Sequence, residues 1–292
     1  MSGFDLVGFN DAHEDYLGVT CWWTVSRNDI AVDDVVKALA DCGLDEGLVK
    51  APTSKRAFTR AARSIDKGSR NVFTRKIVDA TDRSVLGIVR ETRDASEEKL
   101  SYKQQVTASL NKESGRVTTY TDGNGGEKIA EVIKKRYTHY RDVITDADIR
   151  LLIRSVIRSI NGVSLRPTGG IYFIPKSQVG TIVKLDEFLR RLGVGVMYIM
   201  RVPEGETERV VAWEGAEMEI RDRVEKILSA TLRIEKRAKF IKNQEAKLVE
   251  VQRVFDLYQE LTGEEERAEN LREYIEDAGN QVVQKLAEIQ NL

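Results

Sequence analysis

The hydrophobic pattern of this chain changes period several times along its length. Tyr16 to Val25 is a run of aromatic and β-branched residues, which predicts a buried strand. Apolar positions three and four apart then predict a helix over residues 31–42, stopped by Gly43, and a second helix after Pro52. Over the next fifty residues the period becomes two, which predicts an antiparallel meander with one solvated face. Turn residues divide that stretch into four strands, at 72–79, 83–91, 99–110 and 116–121.

Helical periodicity returns in the middle of the chain, at residues 127–143 and 146–160. Thr145 occupies the N-cap position of the second helix, and Asp148 follows three residues later in a variant of the capping box. A strand, a helix and a strand come next. Their order predicts a small β-α-β unit whose two strands can pair in parallel. These elements are predicted at residues 170–175, 177–192 and 195–202.

The last third of the chain has the pattern of long amphipathic helices. Residues 216–262 contain neither Gly nor Pro, and an unbroken helix of that length would extend about 70 Å. Helical periodicity resumes after Gly263. Apolar residues spaced by four and three form a heptad seam, which is covered by the return helix, by the globular part or by a second copy of the chain. The seam residues predicted to mediate oligomerisation are Ile220, Val224, Ile227, Ile234, Ile241, Leu248 and Phe255.

These elements together predict an α+β fold. An antiparallel β-meander with flanking helices and a small β-α-β unit form a globular domain over residues 1–205, with a secondary boundary near 122–126. Residues 206–292 form a C-terminal long helical hairpin or coiled-coil arm. No run approaches the ~20 apolar residues of a membrane span, and no signal peptide is recognisable. Cys21 and Cys42 are expected to be reduced thiols, so we expect a cytoplasmic protein of a prokaryote or a phage.

The net charge of -1 conceals a strong asymmetry along the chain. Residues 1–50 contain 3 Lys/Arg and 10 Asp/Glu, residues 51–160 contain 23 and 14, and residues 161–292 contain 20 and 23. A basic middle can bind a polyanion, or it can be neutralised by acidic regions of its own chain or of a neighbour.

Nucleic-acid binding is the chemistry that the basic middle region fits best. Clustered Lys and Arg side chains neutralise phosphates, and aromatic rings stack on unpaired bases. Tyr102 and Tyr120 also interleave with these cations. The competing interpretation is a basic helix face paired with acids, with tyrosines half in the core. The predicted nucleic-acid-binding residues are Arg56, Arg60, Arg63, Lys134, Lys135, Arg136, Arg141, Arg150, Arg154, Arg158, Tyr137 and Tyr140.

No catalytic residue, metal site or cofactor is predicted. His13 and His139 are the only histidines, and neither comes with a recognisable nucleophile. The glycine-rich run 123–128 lacks the spacing of a phosphate-binding loop and is interpreted as a turn, as is Pro167-Thr168-Gly169-Gly170. Asp79 or Asp82 with Glu97-Glu98-Lys99 has the residue order of a metal-dependent nuclease, but such triplets are frequent in highly charged chains.

Some short runs resemble a prokaryotic and phage family of unknown function. They are Trp22 to Ser26, Gly43-Leu44-Asp45, Ala57 to Ala61, and Gly169 to Pro175. The resemblance extends over most of the globular part. These runs are typical of a fold rather than of a catalytic site, so the resemblance implies no activity and no functional residue.

The first functional hypothesis is a non-enzymatic, self-associating assembly protein that binds nucleic acid, in particular single strands, through its basic region. The alternative is an adaptor or regulator of another protein, such as an ATPase in a phage or host-conflict system, with the arm as the docking surface. A third hypothesis is an enzyme with a site assembled from dispersed acids such as Asp82 and Glu97.

Overall fold

The computed structural model describes residues 15–66, 71–93, 100–123, 125–233 and 238–290. His13, Ile234 and Glu97-Glu98-Lys99 lie outside these ranges. The chain divides into two compact units. Unit 1 is built from residues within 1–26, 42–44 and 151–292, and unit 2 comprises residues 27–41 and 45–150. The domain boundary at residue 205 stays a prediction.

Strands and helices alternate in short groups before the long C-terminal helices. In chain order the strands are β1 (Tyr16–Val25), β2 (Asp29–Ala31), β3 (Val72–Asp79), β4 (Arg83–Arg93), β5 (Leu100–Asn111), β6 (Val117–Thr121), β7 (Val143–Thr145), β8 (Val163–Ser164), β9 (Tyr172–Pro175) and β10 (Gly195–Pro203). The helices are α1 (Val32–Asp41), α2 (Ser54–Asp66), α3 (Gly126–Asp142), α4 (Asp146–Ser159), α5 (Val179–Arg191), α6 (Glu206–Leu232), α7 (Ala238–Thr262) and α8 (Glu266–Gln290). Short 3₁₀ turns occupy Glu46–Leu48 and Lys176–Gln178.

Unit 2 contains the predicted meander. Strands β3, β4, β5 and β6 pair antiparallel in sequence order, which confirms the prediction from the period-two pattern. One face of this sheet packs against α2 and α3 around Phe58, Ile88, Val106 and Ile133, all of which are fully or almost fully buried. Burial of this apolar face is the main stabilising term for the unit. Strands β2 and β7 form a separate antiparallel pair.

Unit 1 contains a four-stranded antiparallel sheet in the order β10-β1-β9-β8. The prediction that β9 and β10 pair in parallel is wrong, because β1 lies between them and bonds antiparallel to both. Strands β9 and β10 each form backbone hydrogen bonds with β1, which comes from the start of the chain. Gly18 in β1 is required by this arrangement, since a Cβ there would lie 2.2 Å from the carbonyl oxygen of Ile174.

The arm is a bundle of three helices rather than a hairpin built on one continuous helix. Helix α6 ends at Leu232 and α7 begins at Ala238. Ring contact between Trp213 and Phe255 joins the start of α6 to the end of α7, so these helices run antiparallel. Arg267 of α8 contacts Glu214 of α6, which places their N-terminal ends side by side. Folding back buries the apolar seam that a single extended helix would leave in water.

Most of the described seam residues that were predicted to mediate oligomerisation are buried within their own chain. Ile220, Val224, Ile227, Ile241 and Phe255 lie in one core cluster, each with at most 3% of its surface exposed. Leu248 is partly buried and packs against the same cluster. The cluster also includes Leu17 and Phe173 of the sheet, so the helices and the sheet of unit 1 share one core. None of the described helices is long and apolar enough to cross a membrane.

Candidate nucleic-acid interface

A basic groove of about 1,020 Å³ lies within unit 2, between α2, the end of α3 and the start of α4. Six Lys or Arg side chains line it together with two aspartates. We call this surface the basic groove. Its charged and aromatic residues are Arg27, Lys55, Arg56, Arg60, Arg63 and Arg136 with Asp29, Asp146, His139 and Tyr140.

Helix α2 supplies most of the cations because its two faces have opposite character. Ala57, Phe58, Ala61 and Ala62 face the core of unit 2 and are fully buried. Thr53 caps the N-terminus, where its Oγ1 accepts a hydrogen bond of 3.2 Å from the backbone N–H of Arg56. The arginines at positions 56, 60 and 63 recur at helical spacing, so they project from the polar face and line the groove.

Asp148 ties two of these arginines to the start of α4. Arg60 donates to its two carboxylate oxygens at 3.0 and 3.2 Å, and Nη2 of Arg56 lies 2.5 Å from Oδ1. The backbone N–H and the hydroxyl of Thr145 donate to Oδ2 at 3.0 and 2.8 Å, which is half of the predicted capping box. Burial acts to raise the pKa of Asp148, but these hydrogen bonds hold it below its ordinary value. Asp148 is therefore an ionised anchor that neutralises part of the groove.

Asp79 holds Lys55 in a similar way. Nζ of Lys55 lies 2.7 Å from Asp79 Oδ2, and Nζ of Lys112 lies 2.8 Å from Oδ1. The hydrogen bonds from Lys112 and Lys55 lower the pKa of Asp79 to about 2. Asp79 therefore forms an ion pair with each of these two lysines at the end of β3.

Three arginines of the groove lack a carboxylate partner among the described residues. Arg136 donates from Nη1 to Ser64 Oγ at 2.6 Å, a neutral acceptor that leaves its charge uncompensated. Arg63 and Arg27 are exposed and have no hydrogen-bond or ion-pair partner in the described part of the chain. Arg27 was not predicted, because it precedes a three-residue strand and carries no periodic signal. These guanidinium groups are the ones that an incoming anion can bind without displacing a protein carboxylate.

The aromatic residues of α3 divide between the groove and the core. Tyr140 is half-buried and lines the groove, with Arg60 Cζ 5.7 Å from its ring centroid. Tyr137 is 6% exposed, packs edge-on to Phe58 and donates to the carbonyl oxygen of Gly115 at 2.6 Å. The competing interpretation of a tyrosine in the core therefore fits Tyr137. Arg141 lies over the Tyr137 ring at 5.9 Å and does not line the groove.

The remaining predicted cations lie elsewhere. Lys134 and Lys135 are exposed on α3 but do not line the groove. Arg150 forms an ion pair with Asp146 one helical turn earlier. Arg154 and Arg158 belong to unit 1, where they line a different cavity. Tyr102 and Tyr120 are exposed on the meander.

His139 and the start of the glycine-rich run each make a contact within unit 2. His139 lies with Nε2 2.8 Å from Asp29 Oδ2 at the groove. In the glycine-rich run, the N–H of Gly126 donates a hydrogen bond of 3.4 Å to the carbonyl oxygen of Gly123, just before α3. Within the described ranges, no three His, Cys, Asp or Glu side chains are grouped as a metal site requires.

Comparison with known proteins places the chain in a family without identifying an activity. The model of DUF6744, described as a family of unknown function, matches residues 16–291. No curated protein matches the chain, and no solved structure matches it.

Proposed function

Because this chain belongs to DUF6744, a family of unknown function, we propose a function from the groove itself: the protein binds single-stranded nucleic acid through unit 2. The observation that carries this proposal is the set of arginines at positions 27, 63 and 136, which line one groove without a carboxylate partner among the described residues.

Phosphate oxygens are the acceptors that this arrangement favours. Guanidinium groups donate bidentate hydrogen bonds to phosphate, and binding releases the counterions that surround the strand. Arg56 and Arg60 already form ion pairs with Asp148, so their side chains are held in place and part of their positive charge is neutralised. Bound phosphates therefore make their strongest contacts with Arg63 and Arg136.

An unpaired strand fits the groove better than a duplex. Tyr140 presents part of its ring to the groove, and stacking on a side chain requires a base that has left its pair. Thr59, Ser64 and Thr145 also line the groove and offer hydroxyl groups to sugar and phosphate oxygens. None of these contacts reads a base edge, so we expect little sequence preference.

Fluorescence anisotropy with a labelled single-stranded oligonucleotide at low salt tests the proposal. The double variant Arg63→Glu with Arg136→Glu should weaken binding at least about tenfold, because two phosphate contacts become repulsive. The double variant Lys134→Glu with Lys135→Glu makes the same change in net charge on α3, the helix that also contains Arg136, but away from the groove. Equal losses in both variants, or no binding by the unmodified protein, would contradict the proposal.

Self-association and an adaptor role stay predictions. The seam residues that the structure describes are buried or, for Leu248, partly buried inside their own chain, so an interface between copies formed by them requires the three-helix bundle to open. Light scattering at several protein concentrations measures self-association directly, independent of nucleic-acid binding.

A further inference from the structure

A second basic site lies within unit 1. Two cavities of about 460 and 630 Å³ share Arg158, Asp222 and Lys226 in their walls, so they are adjacent parts of one concave surface. We call it the unit 1 cleft. It is bounded by the end of α4, the loop that follows β8, and the facing sides of α6 and α7. Each cavity falls in the range of about 300–1,000 Å³ that is typical of small-molecule sites.

Cations outnumber carboxylates in the walls of this cleft. Glu219 accepts a hydrogen bond of 2.9 Å from Arg223 Nε and lies 3.8 Å from Arg158 Nε, so one carboxylate serves two guanidinium groups. Asp222 pairs with Lys226. The full set of charged lining residues is Arg154, Arg158, Arg166, Arg223, Lys226, Lys247 and Arg253 with Glu219, Asp222 and Glu250.

Most of the other cations have no acidic partner in the described ranges. The side chains of Arg154, Arg166 and Arg253 are exposed and have no hydrogen-bond or ion-pair partner there. Lys247 donates only to the neutral Gln244 amide oxygen, at 3.1 Å. Positive charge therefore accumulates along a concave wall, which raises the local concentration of anions.

One buried nitrogen in the cleft is unsatisfied. Nη2 of Arg223 is buried and has no hydrogen-bond partner among the described residues, although Arg223 Nε is bonded to Glu219. A buried charged donor without an acceptor is costly, so such groups usually mark a site where a ligand or water supplies the acceptor. An anionic oxygen that reaches Nη2 from the cleft would supply the missing acceptor. This observation is independent of the excess of cations.

An aromatic pair closes the other end of the cleft. The rings of Trp23 and Tyr172 stack with centroids 5.2 Å apart and 22° between their planes, and both residues line the cavity. The loop beside them turns through Gly169 and Gly170, which have φ of 74° and 102°, values that side chains disfavour. A Cβ at Gly169 would lie 3.1 Å from Tyr172 Oη, so glycine lets the loop approach the ring closely.

We propose that the unit 1 cleft binds a nucleoside phosphate, with the phosphate on Arg158, Arg166 and Arg223 and the base against the Trp23–Tyr172 pair. An inorganic anion would use the arginines alone and leave the aromatic wall empty. An apolar ligand would leave the guanidinium groups unsatisfied. A nucleoside phosphate uses both ends, since its base stacks on an aromatic face while its phosphate accepts from several arginines. The same chemistry is present in a free nucleotide and in the 5′-phosphorylated end of a strand.

Isothermal titration calorimetry with AMP, UMP, adenosine and inorganic phosphate tests this proposal on the full chain. We expect AMP and UMP to bind, and adenosine and phosphate each to bind at least about tenfold more weakly, because each lacks one half of the ligand. Arg158→Ala with Arg166→Ala should weaken nucleotide binding at least about tenfold. Arg267→Ala is the matched control, since this exposed arm arginine does not line the cleft.

Tyr172→Leu separates the two halves of the ligand. It should weaken AMP binding while leaving inorganic phosphate binding unchanged. The single variant Arg166→Ala changes only an exposed loop residue, so it tests the phosphate contact even if the Arg158→Ala, Arg166→Ala double variant folds poorly. Absence of AMP and UMP binding at millimolar concentration overturns the proposal. Equal affinity for inorganic phosphate and for AMP also overturns it.

Two further binding measurements identify the source of the ligand and separate this proposal from the proposed function of the groove. Tighter binding of a 5′-phosphorylated oligonucleotide than of its 5′-hydroxyl form, lost in the Arg158 and Arg166 variant, supports a strand end as the source. AMP binding without that difference supports a free nucleotide. The Arg63→Glu, Arg136→Glu variant should bind AMP normally, so failure of the groove and failure of the cleft are distinguishable.

Discussion

The basic groove of unit 2 and the unit 1 cleft use similar residues and differ in how their charge is compensated. In the groove, Asp148 holds Arg56 and Arg60, and Asp79 holds Lys55. In the cleft, Glu219 is shared by two arginines and a guanidinium nitrogen stays buried without a partner. The comparison shows that the number of Lys and Arg side chains in a site overestimates the positive charge available to a ligand, because carboxylates neutralise part of it. Carboxylates distant in sequence determine which arginines are available.

The largest expected effect follows removal of the anchor of the groove. Asp148→Ala leaves Arg56, Arg60 and the N-terminus of α4 without their acceptor, and 10% of the Asp148 side chain is exposed. We expect a loss of about 2–3 kcal/mol in the free energy of unfolding and a fall in Tm of about 5–10 °C. Differential scanning calorimetry measures both.

Asp142→Ala is the control for that measurement, because Asp142 is an exposed residue at the end of α3. A Tm within one or two degrees of the unmodified protein in the Asp148 variant would show that the groove does not depend on this pair.

A smaller effect is expected at a buried tyrosine that bonds to Asn161, one of the residues lining the cleft. Tyr258 is fully buried and donates to the carbonyl oxygen of Asn161 at 3.0 Å, and burial raises its pKa well above the ordinary value. Tyr258→Phe removes this hydrogen bond beside the cleft and should cost about 1–2 kcal/mol of unfolding free energy by urea denaturation. Tyr102→Phe, on an exposed ring, should change stability by less than about 0.5 kcal/mol. Equal stability of Tyr258→Phe and the unmodified protein would contradict the account.

Single substitutions in the groove sharpen the distinction between paired and available arginines. Arg63→Ala should weaken oligonucleotide binding about fivefold and reduce the salt slope by about 0.7, because one phosphate contact is lost. Arg56→Ala should change the affinity less than twofold, since its charge is already compensated by Asp148. Anisotropy titrations over a range of salt concentrations measure both quantities. A larger loss in Arg56→Ala than in Arg63→Ala would reverse the assignment.

The smallest expected effect is the loss of the stability that ionised Asp79 contributes as the pH is lowered. A lowered pKa in the folded state contributes stability above the ordinary value of 3.8, and that contribution disappears as pH falls through about 2 for Asp79. The Tm should therefore fall more steeply between pH 4 and pH 2 in the unmodified protein than in Asp79→Asn. Identical pH dependence in the two proteins would show that Lys55 and Lys112 do not stabilise this carboxylate.

The local hydrophobic pattern predicted where helices and strands lie better than it predicted which of them pack or pair with each other. The apolar face of α4 and the alternation of the meander follow from spacing alone, because burial of one face imposes that spacing. Pairing of β9 with β1 could not be predicted, since about 150 residues separate them in sequence. The end of α6 at Leu232 was missed because no Gly or Pro marks it, and the packing of α6 against α7 has no local signal in the sequence.

The candidate sites were predictable only in part for the same reason. Arg56, Arg60 and Arg63 were predicted from the sequence to bind nucleic acid, and all three line the groove. Their compensation by Asp148, 88 residues beyond Arg60, has no local signal. Tyr137 and Tyr140 are three residues apart on one helix, yet only Tyr140 lines the groove, because the position of Gly115 and Phe58 decides which ring is buried.

Photo-crosslinking of a 4-thiouridine oligonucleotide, followed by mass spectrometry of the crosslinked peptides, tests the central claim most directly. The account predicts crosslinks to peptides of α2 and of the end of α3, including Tyr140, and their loss in the Arg63→Glu, Arg136→Glu variant. Crosslinks confined to the exposed Tyr102 and Tyr120 of the meander, or crosslinks unchanged in that variant, would contradict it.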